Sequence, residues 1–110
     1  MLSCCFSPPR LYLASGVTTI RTTGAFSPYS ELNLKSSIAT GELVGPRMYI
    51  TGPYITGAGA MTQMKAVSSP DDARRVVGYW ADEGVDWFKA YTRIGHEELA
   101  AAIDEAHRRG

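Results

Sequence analysis

GVDWFKAYT (Gly84–Thr92) is a short run of branched and aromatic residues, opened by a glycine and set between two helical patterns. Side chains of this kind fit a pleated, half-buried surface, so the run predicts a strand. Before it, Ser69-Pro70-Asp71-Asp72 supplies an N-cap serine, a proline at the first helical position and acids in the first turn. Ala73, Val76, Val77 and Trp80 then recur at helical spacing, giving one apolar face to a helix that should stop near Gly84. After the strand, Gly95-His96-Glu97-Glu98 opens a second helix with Leu99, Ala102, Ile103 and Ala106 on its apolar face. Arg108 and Arg109 suit its C-terminal end and Gly110 its stop.

The same rhythm runs back towards the N-terminus. Val17–Arg21 and Arg47–Thr51 are two further strand-like runs, each following a glycine within a residue or two. Between them a weaker helix is expected from Ser27-Pro28 to Thr40, closed by Gly41. Strand, loop, capped helix and glycine in repetition make βα units, whose strands lie parallel and are joined by right-handed crossovers. The expected class is therefore α/β with about three parallel βα units. A parallel sheet needs both faces covered, and an eight-fold barrel needs roughly 250 residues. The chain thus reads as an internal segment of a larger α/β protein, with a self-sufficient three-stranded domain as the alternative. Residues 1–12, with Cys4, Cys5, Pro8 and Pro9, read as an irregular stretch; Leu11–Ser15 read as the tail of a helix feeding the first strand.

Composition narrows the function classes. The 110 residues are 45% hydrophobic and 20% charged, with 11 basic against 11 acidic side chains. That balance argues against a nucleic-acid binder, a polybasic membrane anchor and an acidic disordered tail. No apolar run reaches the roughly 18–20 residues of a membrane span, and MLSCCFSPPR lacks the layout of a secretory signal. Adjacent Cys4 and Cys5 make neither an ordinary disulfide framework nor a spaced zinc knuckle, so a reduced, cytoplasmic setting is expected.

Lys89 is the residue to single out for chemistry. It lies near the C-terminal end of its strand, where parallel barrels build their active sites. Alternation puts Val85, Trp87, Lys89 and Tyr91 on one face and Asp86, Phe88 and Ala90 on the other. A lysine so placed either reaches out at a rim or is held inside as an amine nucleophile. Held inside, it could form a Schiff base with a carbonyl or a carbamate with carbon dioxide, the latter an oxygen ligand for divalent metals. His96 reads as a capping-region residue and His107 as solvent-facing near a helix end; eleven positions apart, they are no His-x-x-x-His metal pair. Gly57-Ala58-Gly59 is a partial phosphate-loop pattern, since Thr62 replaces the final glycine. It is better read as a βα loop over a substrate mouth, lined by Tyr54, Met61 and Met64. Arg21 is expected in a structural ion pair, with Thr22 and Thr23 hydrogen-bonding neighbours.

LASGVTTIRTTG (Leu13–Gly24), Gly45–Arg47 followed by MYITG, and GVDWFKAYT resemble successive signatures of the metal-dependent amidohydrolase superfamily. The imidazolonepropionase- and prolidase-like branch is the most similar, over residues 13–110. The resemblance implies a partial (β/α)8 TIM-like barrel, in which the visible strands are the second to fourth. It implies hydrolysis of an amide, cyclic-amide or dipeptide C–N bond by metal-activated water, with Lys89 carboxylated as a metal ligand. The implied cofactor is one or two divalent ions, zinc foremost, and the implied partner a small amide-type substrate, with a homo-oligomer left open. The family's His-x-His pair is absent from this sequence, and its later histidines and aspartate would follow Gly110. The chain alone is therefore expected neither to bind metal tightly nor to catalyse the reaction. A Schiff-base, aldolase-type barrel and a non-enzymatic remnant remain the alternatives.

Overall fold

A computed structural model of the chain describes residues 7–61 and 64–110. The N-terminal Cys4–Cys5 pair lies outside them. Four helices alternate with five strand segments: α1 (Ser7–Ala14), β1 (Thr19–Arg21), α2 (Pro28–Ala39), β2 (Arg47–Tyr49), β3 (Thr51–Thr56), β4 (Lys65–Ala66), α3 (Pro70–Asp82), β5 (Trp87–Ala90) and α4 (His96–Arg108). Every strand pairing is parallel.

β2 and β3 are one line of chain interrupted at Ile50, and this line is the centre of the sheet. β1 pairs with β2, Ala25 bridges Pro53, and β3 takes β5 on one side and β4 on the other. The break at Ile50 is held by Asp86. Its carboxylate accepts the Ile50 N–H at 2.8 Å and the Lys35 ammonium at 2.7 Å. The Ile50 carbonyl in turn accepts both Asp86 N–H at 2.8 Å and Trp87 N–H at 3.1 Å. Asp86 thus ties α2, the central strand and β5 together.

Several expectations are corrected. The stretch 1–12 is not irregular throughout, because α1 already begins at Ser7. Pro8 and Pro9 fall in its first turn, where no intrahelical N–H bond is lost and proline's fixed φ is helical. The central strand runs past Thr51 to Thr56. Its register shifts between Thr51 and Tyr54, which accommodates Pro53 and its missing donor.

The capping signals of α3 behave as read. The Asp72 N–H donates to the Ser69 hydroxyl at 3.1 Å, and Ser68 N–H donates back to the Asp72 carboxylate at 3.2 Å. Ala73, Val76 and Val77 are buried with Ile55, Val67, Ala101 and Ala102, and Trp80 and Phe88 pack against this cluster. The helices and the sheet therefore share one core. For α4 the buried face is Ala101, Ala102 and Glu105, rotated from the expected one; Ile103 is 46% exposed. The reason is that α4 has α3 on one side and an open groove on the other. The molecule is a slab of 43 × 27 × 19 Å with a radius of gyration of 14.8 Å, more extended than the roughly 13 Å of a compact 100-residue domain. No helix among the described residues is long and apolar enough to cross a membrane.

Candidate active site

The C-terminal ends of the parallel strands bring Lys89 to a cluster of aromatic rings. Tyr54 is its register partner on β3, and the Lys89 ammonium lies 4.9 Å from the Tyr54 ring centroid and 5.8 Å from that of Tyr91. The two rings meet edge to face at 5.3 Å, and Phe26 stacks on the far side of Tyr54 at 5.4 Å. Ring faces carry negative charge density, so this cluster seats a cation without any carboxylate. Gly24 makes the arrangement possible. At φ +124° it holds a backbone conformation that side chains disfavour, and a Cβ there would lie 2.5 Å from the Tyr54 ring. Tyr54 is thus a strand residue fixed beside Lys89, not part of the following loop as its sequence position suggests.

On the same face as Lys89, Trp87 is 51% exposed and carries the Arg21 guanidinium 5.7 Å above its ring. Arg21 makes this cation–π contact in place of the expected ion pair. Thr22 does hydrogen-bond across strands: its hydroxyl accepts Thr51 N–H at 2.8 Å, and its carbonyl accepts the Thr51 hydroxyl at 2.5 Å. His96, just after the N-cap residue Gly95, and His107, near the end of α4, are both exposed. Met61 and Met64 do flank a small cavity at the ends of β3 and β5. Arg93 lines the same cavity and was not distinguished by its sequence context.

A groove of about 640 Å³ runs along the free edge of β5, lined by Trp87, Phe88, Leu99, Ala102, Ile103 and Ala106 among others. The apolar face of α4 read from the sequence points into this groove. Among the described residues, no three His, Cys, Asp or Glu side chains gather where a metal could be held. Lys89 could offer one donor, but catalytic metal sites use about three protein ligands. These residues on their own therefore do not fit a catalytic metal.

The fold, with its parallel strands, matches solved structures. A protein described as a prolidase from Bifidobacterium longum superposes with a TM-score of 0.76 and 32% identity, covering 93% of this chain and 28% of its own. The chain resembles prolidase and amidohydrolase structures over about nine tenths of its length. A Xaa-Pro dipeptidase with methionine bound in its active site shares the fold at a TM-score of 0.76 and 21% identity, over 91% of this chain and 32% of that one. Bottromycin amidohydrolase does so at 0.79 and 24%, over 88% and 22%. The chain spans between 22% and 32% of the length of these three structures. No family model and no curated protein matches it.

Proposed function

We propose that the chain provides three consecutive βα units, strands two to four, of an eight-stranded amidohydrolase barrel. The enzyme it serves hydrolyses a carbon–nitrogen bond in a dipeptide, amide or cyclic amide. The observation that carries this reading is Lys89 at the C-terminal end of β5, on the face turned away from the helices and seated against Tyr54 and Tyr91. The likeness to a prolidase and to a Xaa-Pro dipeptidase supports reading dipeptides as the first substrates to try.

In this reading the neutral Lys89 amine adds to carbon dioxide, its nitrogen–carbon bond forming as one proton leaves to solvent. In a complete site the carbamate would offer one oxygen ligand to a divalent metal, zinc foremost, which would supply the activation of water. The remaining ligands come from residues other than those described, so the 110-residue chain by itself is inactive. Its setting is cytoplasmic and its partner a small amide-type substrate, with a homo-oligomer left open.

The test is to sequence the encoding locus beyond both ends and assay the complete product on Xaa-Pro dipeptides. Support would be an upstream strand ending in His-x-His, downstream histidines and an aspartate, and loss of both metal and hydrolysis in Lys89→Ala. Flanking stop codons, or hydrolysis indifferent to Lys89→Ala, would overturn the proposal. So would borohydride trapping of a carbonyl substrate on Lys89, which reports a Schiff base.

A further inference from the structure

Next to the Lys89 cluster, at the ends of β3 and β5, lies a separate cavity of about 140 Å³. At roughly 30 Å³ per water it holds the equivalent of four or five waters, too little for a dipeptide but enough for one polar end of it. Thr56 lines it. This threonine is fully buried, and its hydroxyl has no hydrogen-bond partner among the described residues. A buried hydroxyl left without a partner carries a desolvation penalty, which a ligand atom in the cavity would remove.

Arg93 faces the same cavity. Its guanidinium lies against Gly59, where a Cβ would come within 2.8 Å of Nη1, and Gly59 has φ +77°. At Gly57 a Cβ would collide with the Arg93 carbonyl oxygen. The Gly57-Ala58-Gly59 turn thus exists to let Arg93 close over it. Among the described residues Arg93 forms no ion pair, whereas Lys35, Arg74, Arg75, Arg108 and Arg109 all meet carboxylates. Tyr91 joins the two places, since its ring is beside the Lys89 ammonium and also walls this cavity.

The geometry points to a carboxylate-binding pocket formed by Arg93, Thr56 and the Gly57–Gly59 turn, which holds the free carboxylate of the substrate while its scissile bond lies towards Lys89. A planar guanidinium can take a carboxylate bidentately, and the Thr56 hydroxyl donates to the same group. The inference rests on the hydrolase reading for its substrate class: dipeptides and N-acyl amino acids with a free C-terminus.

Binding tests it without any turnover. N-Acetylproline and N-acetylprolinamide differ only in the carboxylate, and both are titrated into the full chain by calorimetry and by NMR of the arginine side-chain Nε–H. The acid should bind roughly 10- to 100-fold more tightly than the amide and shift the Arg93 resonance. Arg93→Gln should bring acid binding down to the level of the amide and leave the amide unchanged, with Arg93→Lys recovering part of it. Thr56→Val should weaken acid binding while keeping or raising the melting temperature, because it also removes the unpartnered hydroxyl. Equal binding of acid and amide, indifference to Arg93→Gln, or inorganic phosphate binding as tightly as N-acetylproline would overturn the inference. If acid is preferred but the complete product hydrolyses no dipeptide, the pocket stands and the hydrolase reading falls. If hydrolysis occurs with no preference for the acid, the reverse holds.

Discussion

The two faces of the sheet differ in how their charges and apolar groups are satisfied. On the helix side, Ile55, Val76 and Val77 are enclosed, and every arginine of α3 and α4 meets a carboxylate: Arg74 with Asp104 at 2.5 Å, Arg75 with Asp72, Arg108 and Arg109 with Glu105. On the other side Trp87 is half exposed, and Arg21 and Lys89 rest on aromatic rings instead of on acids. Arg93, at the sheet's end, lies against the glycine turn and forms no ion pair among the described residues. The arginines of the α3–α4 side are thus paired within the chain, whereas the cations of the other face rest on rings and the edge of β5 borders an open groove.

Substitutions should separate the two sides, the greatest effect coming from the core. Ile55→Ala removes a buried branched side chain between the sheet and α3 and should cost about 2–5 kcal/mol, read by urea or thermal unfolding. A cost below 1 kcal/mol would mean that this side is not the packed one. Ser69→Ala deletes the hydroxyl that accepts Asp72 N–H and should cost about 1 kcal/mol, with helicity lost from α3 first.

Glu31 gives a smaller effect with a pH signature. Burial raises its pKa above the ordinary 4.5, opposed by the Thr22 hydroxyl, and one carboxylate oxygen lacks a partner among the described residues. The folded state then holds the proton more tightly than the unfolded one, so this group's contribution to stability is greatest below 4.5 and declines as pH rises through the folded-state value. Glu31→Gln should therefore melt higher than the wild type at neutral pH, the gap closing as pH falls to 4 and below. A gap that does not change with pH would contradict the assignment. The smallest effect is expected at Trp87→Ser, where little packing is lost: within about 0.5 kcal/mol in stability, with less self-association in light scattering as an exposed ring leaves the open face.

The parts legible in the sequence are those governed by neighbours along the chain. The α3 start was readable from Ser69, Pro70 and Asp72, since a cap is satisfied within four residues. The run from Trp87 to Ala90 was readable as a strand, with Lys89 near its C-terminal end. The α4 face was misread because periodicity marks apolar residues without saying what covers them: Ala101, Ala102 and Glu105 meet the rest of the fold, and Ile103 meets an open groove. The extension of the central strand was missed because Gly52-Pro53 looks like a breaker, and only the register shift against β5 absorbs it. Arg93 carried no local signal, because the glycines that receive it lie more than thirty positions earlier.

Local chemistry determined the alternation of strands and capped helices, the parallel α/β class and the placing of one lysine at a strand end. Tertiary structure alone decided that Tyr54 and Tyr91 flank that lysine, that Asp86 binds three elements, and that Thr56 and Arg93 share one cavity. Caps and periodicities are short-range and leave their mark in adjacent residues. Cavities and cation–π seats form between strands that are distant in sequence, and only the sheet's register fixes which side chains meet there.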